Sequence, residues 1–194
     1  IVHQDLSLTT PGPVQLHQLL TEMAQQNVGV VAMEVSSHAI HQKRVESVAF
    51  TAAAFTNLSQ DHLDYHGTMA SYFEAKSRLF EDILGRHGTA VVNAEDPAGA
   101  QLIEKLQKAG RPLITYGGLM SDVSLMKIER ADRGSLVQLD VMGETGTILL
   151  PFTSTFQISN ALAAIGLVLS LGIDVQDIFF GCTGIMPVPG RLEW

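Results

Sequence analysis

The chain has 194 residues, enough for one sizeable domain with a buried core, and it carries a net charge of −8. Its longest basic run is the pair Lys43 and Arg44, which argues against a nucleic-acid or membrane-surface partner. Cys182 is the single cysteine, which excludes an internal disulfide and fits a reducing compartment, so we expect a cytoplasmic protein. No stretch of about 18 apolar residues predicts a membrane span.

The first half of the chain predicts helices alternating with buried strands. Apolar residues recur at helical spacing over residues 11–25 and 68–84, which predicts two helices. Near-continuous apolar runs over residues 28–35 and 48–55 predict strands covered on both faces, as in a parallel sheet. A content of 46% hydrophobic and only 16% charged residues agrees with such buried strands.

The second half continues this alternation and then changes pattern. It predicts short strands over residues 89–92 and 113–116, and a helix from Pro97 to residue 109. Short polar turns then predict three antiparallel strands, followed by two helices, over residues 123–130, 135–141, 146–152, 159–171 and 175–181. The fold class is therefore α/β: a mostly parallel sheet flanked by helices, with a small antiparallel three-stranded sheet beside it over about residues 121–152.

A polar cluster over residues 59–67 follows the second apolar run. It holds Asp61, His62, Asp64 and His66, and this combination suits a divalent cation or proton transfer. A solvated polar loop is the alternative. His62 and His66 would share one face of a helix, but Gly67 and the polar run favour a loop with a single metal-binding histidine.

Three further positions carry side chains that could bind metal or substrate. Glu34 lies near the end of an apolar run, where a carboxylate either binds Mg²⁺ or accepts hydrogen bonds from neighbouring loops. Ser36, Ser37 and His38 follow it. Contacts to substrate or metal fit the two serine hydroxyls better than a nucleophilic serine, because the G-x-S-x-G elbow is missing, and His38 is either functional or an ordinary hydrogen-bonded loop histidine. Lys76 lies in the helix over residues 68–84, where the residues alone favour a surface lysine paired with Glu74 or Glu81.

The ends and one missing motif bear on the extent of the chain. It begins at Ile1 and stops at Trp194 directly after a proline-rich turn, so we expect an internal piece of a longer protein. The phosphate loop G-x-x-x-x-G-K-[ST] is absent. Either the protein does not use ATP, or the loop lies upstream of Ile1.

Four strings together resemble the Mur ligases. They are TTP at residues 9–11, MEVSSHA at 33–39, FTNLSQDHLDYHGTM at 55–69 and EAKSRLF at 74–80, and their order and spacing resemble most closely the family members that form the UDP-N-acetylmuramoyl tripeptide. The resemblance implies that residues 1–194 form a single central ATPase and substrate-binding domain, without its phosphate loop and without the N- and C-terminal domains. We therefore expect the 194 residues alone to be inactive.

The resemblance implies an ATP-dependent amide ligase of peptidoglycan synthesis. Such an enzyme phosphorylates the carboxylate of UDP-MurNAc-L-Ala-D-Glu, and a diamino acid, L-lysine or meso-diaminopimelate, attacks the acyl phosphate. The implied Mg²⁺ site consists of Glu34, His62 and Lys76, the last as a carbamate, and these residues are the expected catalytic set. The remaining implied contacts are Thr9, Thr10, Ser36, Gln42 and Arg44 to the UDP-linked substrate, and Asn160 and Arg191 to ATP.

The chain departs from the family pattern at three places, and two alternative functions stay open. Leu8 replaces the usual asparagine before the Thr-Thr pair, Thr155-Phe156-Gln157 replaces the usual Gly-x-Phe-Asn, and Leu192 replaces the usual methionine. One alternative function is a metal-dependent phosphohydrolase that uses the Asp and His residues of 61–66. The other is a non-catalytic module that binds a nucleotide-sugar.

Overall fold

The computed structural model describes residues 8–186. The helices are α1 (Pro13–Gln25), α2 (Ser37–His41), α3 (Leu63–His66), α4 (Met69–Arg78), α5 (Pro97–Lys108), α6 (Thr155–Leu169) and α7 (Val175–Cys182). A π-helical turn, Leu79–Ile83, follows α4. The strands are β1 (Ala52–Phe55), β2 (Thr89–Asn93), β3 (Leu113–Gly117), β4 (Val123–Ala131), β5 (Gly134–Val141) and β6 (Glu144–Leu150).

The chain divides into two compact units. The helical unit comprises residues 8–49 and 60–83, and it contains α1 to α4 with the π-helical turn. The sheet unit comprises residues 50–59 and 84–186, and it contains all of the described strands with α5, α6 and α7. Within residues 8–186, no helix is both long enough and apolar enough to span a membrane.

The sheet unit is built on one six-stranded sheet in the order β1-β2-β3-β4-β5-β6. The pairs from β1 to β4 are parallel, and those from β4 to β6 are antiparallel. The α/β class and the antiparallel pairing of the last three strands are thereby confirmed. These strands do not form a separate sheet, however, because β4 pairs with β3 and continues the parallel part.

Packing of α6 against the sheet forms the core of the sheet unit. Ile158 and Leu162 of α6 are buried, and so is Val91 at the centre of β2. A Cβ atom on Gly166 would lie 2.5 Å from Cγ1 of Val91, so only glycine permits this close approach of helix and strand. The buried run in β2 is the pattern expected of a parallel strand covered on both faces.

Helix α5 starts at Pro97, as predicted from the sequence. Asp96 caps the helix, its carboxylate accepting hydrogen bonds from the backbone N–H groups of Ala98 and Gly99, and Pro97 occupies the first helical position. The same carboxylate accepts a hydrogen bond from the N–H of Leu58 at 3.1 Å. The cap therefore joins α5 to the segment that follows β1.

The predicted strand over residues 28–35 is wrong. The structure has no strand there, and Val28, Val30 and Val31 are 44%, 69% and 42% exposed. A buried central strand needs neighbours to satisfy its N–H and C=O groups, and no described strand pairs with this segment. The predicted strand over 48–55 is shortened to β1, and the predicted helix over 68–84 is α-helical only to Arg78 and continues as the π-helical turn. The helix predicted from residue 159 begins at Thr155, and the other predicted helices and strands are found with small shifts of their ends.

Candidate substrate and metal site

Thr10 fixes the backbone that carries two predicted site residues. Its side chain is buried, and its hydroxyl donates to the carbonyl oxygen of Glu34 at 2.9 Å. The hydroxyl oxygen of Thr10 also accepts a hydrogen bond from the N–H of Ser36 at 3.0 Å. Thr10 thus holds residues 34–36, whereas its neighbour Thr9 is exposed.

The short helix α2 follows directly, with one side buried and with polar side chains on the other side. Ser36 is its N-cap, with a hydroxyl that accepts from the N–H of Ala39 at 3.2 Å. Ala39, Ile40 and Val45 are fully buried or nearly so, and they anchor this part of the helical unit. The polar side chains of the same turn, including the exposed His41 and Gln42, are thereby held in place.

Arg44 connects this helix to Thr10. Its Nη1 donates to the carbonyl oxygen of Thr10 at 2.9 Å. Its Nε donates to Oε1 of Gln42 at 3.0 Å, and Nη2 donates to the same oxygen. A guanidinium has five N–H groups, so these bonds leave one N–H on each terminal nitrogen for a ligand. Of the residues predicted to contact the UDP-linked substrate, Thr10, Ser36, Gln42 and Arg44 therefore lie in one hydrogen-bonded network.

Residues 63–66 of the polar cluster fold into a helical turn, so the predicted loop is wrong there, whereas Asp61 and His62 precede the turn. His62 caps α3 with a left-handed backbone (φ 53°), and its N–H donates to Oδ1 of Asp61 at 2.7 Å. Gly67 ends the turn at φ 75°, where a residue without Cβ is favoured. Thr68 then caps α4 by accepting from the N–H of Ser71. Two successive helix starts therefore fix the direction of this segment.

A cluster of four histidines and two tyrosines is the feature that sequence reasoning missed. Its members are His38, His41, His62, His66, Tyr65 and Tyr72. The ring of His38 lies 4.1 Å from that of Tyr65 and 4.8 Å from that of His62, measured between centroids. His66 stacks on Tyr72 at 4.9 Å. The available signal was the spacing of His38 and His41, which places both on one side of a helical turn.

The cluster shifts the titration of two of its members. Burial lowers the pKa of His66, and the neighbouring charges of His38, His41 and His62 lower it further. Burial raises the pKa of Tyr72, and Asp61 adds to this effect, while a hydrogen bond with the Ser37 side chain opposes it. Nε2 of His66 lies 3.0 Å from Oγ of the same serine. Ser37 therefore joins the two stacked rings.

Two residues of the implied metal site converge on Tyr72. Nζ of Lys76 lies 5.2 Å from the centroid of this ring, one helical turn along α4, and the ring of His62 lies 5.9 Å from it. The side chain of Glu34 is exposed, and its backbone is the part held by Thr10. An amine cannot bind a metal cation while it is protonated, so this set suits Mg²⁺ only if Lys76 becomes a carbamate.

The phosphohydrolase alternative gains no support from the geometry. Within residues 8–186, no group of three or more His, Cys, Asp or Glu side chains is arranged to hold a metal ion. His66, one of the ligands that this alternative needs, is instead engaged with Ser37 and Tyr72.

The implied ATP contacts lie elsewhere. Asn160 is an exposed residue of α6 in the sheet unit, whereas the other described site residues lie in the helical unit. Arg191 and the proline-rich end of the chain fall outside the described residues.

Comparison with known proteins gives consistent matches. The Mur ligase middle domain matches residues 2–168. The UDP-N-acetylmuramoyl-L-alanyl-D-glutamate–2,6-diaminopimelate ligase of Zymomonas mobilis is 40% identical over 97% of this chain and 39% of its own length. That of Mesorhizobium japonicum is 40% identical over 96% of this chain and 39% of its own length. A solved structure of a ligase with the same name superposes with a TM-score of 0.84 at 29% identity, covering 94% of this chain and 38% of that one. The chain thus spans about two fifths of these relatives.

Proposed function

Since the chain belongs to the Mur ligase family and matches its middle domain, we propose that the longer protein in which it lies is an ATP-dependent amide ligase. Its substrate is UDP-MurNAc-L-Ala-D-Glu, and the amino acid added is a diamino acid. The names of the two relatives that are 40% identical support 2,6-diaminopimelate over L-lysine. The single cysteine of this chain, Cys182, is free, which fits a cytoplasmic location for the longer enzyme.

The reaction proceeds in two balanced steps. A carboxylate oxygen of the substrate attacks the γ-phosphorus of ATP, the bond to the β-phosphate oxygen breaks, and ADP leaves with an acyl phosphate remaining. The amino group then attacks the acyl carbon, phosphate leaves with its bridging oxygen, and the nitrogen loses a proton. The protein contributes mainly positioning and electrostatic stabilisation to such phosphoryl transfer.

The observation that carries this proposal is the restraint of Arg44. Thr10 and Gln42 hold its guanidinium and leave an N–H on each terminal nitrogen. A planar pair of donors matches a carboxylate or a phosphate oxygen pair, as a UDP-linked acidic peptide offers. Thr9, Thr10, Ser36 and Gln42 complete the proposed contacts to this substrate.

The proposed Mg²⁺ ligands are Glu34, His62 and the carbamate of Lys76. The carbamate forms when the neutral amine of Lys76 attacks CO₂ and loses a proton, which converts a cation into an anion. A bound Mg²⁺ would neutralise charge on the phosphates. Asn160 and Arg191 are the proposed contacts to the adenine and ribose of ATP.

The test of function uses the full-length protein that contains this chain. With ATP, Mg²⁺ and UDP-MurNAc-L-Ala-D-Glu, release of ADP should require an amino acid, and diaminopimelate should be used in preference to lysine. Binding of the UDP-linked substrate without any ADP release would instead favour the non-catalytic module. Preference for lysine would contradict the assignment of the amino acid alone.

Arg44 can be tested with a matched pair of substitutions. Arg44→Lys keeps the charge but loses the paired donors, so KM for the UDP-linked substrate should rise about 10- to 100-fold, while KM for ATP stays near the wild-type value. The control is Arg78→Lys, since Arg78 lies in the same unit and pairs with Glu46 and Asp82 at the surface. Equal effects of the two substitutions would count against the assignment.

Carbamylation of Lys76 has a direct spectroscopic test. Labelling with ¹³C-bicarbonate should give one carbamate signal in the NMR spectrum of the full-length protein. Lys76→Gln should abolish this signal, and Lys43→Gln, which changes an exposed lysine, should leave it in place. A carbamate signal that survives Lys76→Gln would exclude this residue as its source.

A further inference from the structure

A continuous chain of hydrogen bonds runs from Arg44 to a histidine that no family motif assigned. Oε1 of Gln42 accepts from the guanidinium of Arg44, and Nε2 of the same amide donates to the hydroxyl oxygen of Tyr65 at 3.2 Å. That hydroxyl lies 2.8 Å from Nδ1 of His41. The side chains of Gln42, Tyr65 and His41 are all exposed, so this order does not arise from burial in a core.

The directions of the two bonds made by the Gln42 amide follow from Arg44. A guanidinium has donors only, so Gln42 must face it with the carbonyl oxygen. The amide nitrogen then faces Tyr65, and the phenol oxygen is the acceptor of that bond. The phenol proton is assigned to the bond with Nδ1 of His41, and in this arrangement a neutral His41 ring carries its proton on Nε2.

Packing holds the middle of the chain in register. The ring of Tyr65 lies 4.1 Å from that of His38 and meets the edge of His41 at 5.4 Å. The hydroxyl is consequently placed between His41 and Gln42 by ring contacts on α2, the same helix that precedes Gln42. The hydroxyl of Tyr65 and the guanidinium of Arg44 therefore hold the Gln42 amide from opposite ends, and without the hydroxyl only Arg44 would fix its orientation.

We propose that Tyr65 and His41 are positioning residues that lock the Gln42 amide and, through it, the Arg44 guanidinium for an anionic group of the substrate. This inference rests on the proposed function, because the substrate anion is the one that Arg44 is proposed to bind. Neither residue touches the reacting atoms. They hold the substrate site in its binding conformation, so replacing them should weaken binding of the UDP-linked substrate and leave binding of ATP unchanged.

The kinetic test uses full-length protein with Tyr65→Phe, which removes only the hydroxyl. KM for UDP-MurNAc-L-Ala-D-Glu should rise about threefold to tenfold, the effect of losing one hydrogen bond, with KM for ATP and kcat within about twofold of wild type. The matched control is Tyr116→Phe, whose buried hydroxyl donates to the carbonyl oxygen of Phe55 in the sheet unit. It should leave both KM values unchanged.

Substitution of His41 separates positioning from mere bulk. His41→Leu removes the acceptor and should raise the same KM, whereas His41→Asn supplies an oxygen near the place of Nδ1 and should restore it. The inference is overturned if Tyr65→Phe leaves this KM unchanged, if both substrates are affected equally, or if His41→Leu and His41→Asn behave alike.

A second readout does not depend on turnover. At about pH 8.5, above the ordinary imidazole range, the ¹⁵N signals of the His41 ring should show Nδ1 as the nitrogen without a proton, and Tyr65→Phe should change this pattern. A wild-type protein that makes no tripeptide would contradict the proposed function. The NMR result would still test the hydrogen bonds between Gln42, Tyr65 and His41, because it does not require turnover. A proton on Nδ1 in the neutral wild-type ring would overturn the chain.

Discussion

Replacing Thr10 with valine removes the hydroxyl that holds residues 34–36 while keeping nearly the same shape. Thr10 is 1% exposed, and its hydroxyl donates to the carbonyl oxygen of Glu34 and accepts from the N–H of Ser36. In the Thr10→Val variant both backbone groups lose their partner. The segment that carries Glu34 and Ser36 should therefore open more readily than in the wild-type protein.

The magnitude follows from the two bonds. Each neutral hydrogen bond contributes about 0.5–1.5 kcal/mol, and a buried group left without a partner costs about 1–3 kcal/mol. Water can reach part of this site, so we expect a loss of about 2 kcal/mol in the free energy of local opening. This corresponds to roughly a 30-fold faster amide exchange at Ser36.

Hydrogen exchange measured by NMR at the Ser36 amide is the direct assay. The control is Thr21→Val, because the hydroxyl of Thr21 donates to the carbonyl oxygen of His17 on the exposed side of α1. This control should change stability by less than about 0.5 kcal/mol. Unchanged protection of Ser36 in Thr10→Val would refute the role given to the hydroxyl.

Three further predictions concern packing and pH. A Cβ on Gly99 would lie 2.0 Å from the carbonyl oxygen of Asn93, so Gly99→Ala should lower the free energy of unfolding, measured by urea denaturation, by about 2 kcal/mol or more. The control is Gly181→Ala, which should not lower this free energy because there is open space around Gly181. The hydroxyl of Ser77 is buried with no hydrogen-bond partner in the described part of the chain, so Ser77→Ala should stabilise by about 1 kcal/mol; a loss of stability would reveal a partner. Burial lowers the pKa of His66, so the unfolded state takes up a proton first as the pH falls below about 6.5, and the free energy of unfolding should decrease there. His66→Gln should reduce this decrease, and an unchanged dependence of the free energy of unfolding on pH would contradict the role given to His66.

The sequence predicts the sheet unit well because its signals are local. Pro97 marks the start of α5, and the apolar run of β2 marks a buried strand. Turns with glycine separate β4, β5 and β6. What the pattern could not reveal is that β4 also pairs with β3, since the periodicity of a strand does not identify its neighbours in the sheet.

The helical unit was harder to predict because its order depends on contacts between distant residues. The apolar run of residues 28–35 has the pattern of a strand, yet a strand also needs a neighbour to pair with. Thr10 and Arg44 were identified by resemblance, but their hydrogen bond is a tertiary contact. The ring cluster around Tyr72 likewise joins α2 to residues 62–72. Residue spacing shows which rings of one segment lie on the same side, but it does not show that the two segments are in contact.

The most direct measurement of the central claim follows oxygen atoms through the reaction. Full-length protein containing this chain would be given ATP, diaminopimelate and UDP-MurNAc-L-Ala-D-Glu with ¹⁸O in its glutamate carboxylates, and the released phosphate would be examined by mass spectrometry. An amide ligase that uses an acyl phosphate should transfer one ¹⁸O to phosphate for each tripeptide formed. Phosphate without the label, or ADP released without tripeptide, would contradict the account.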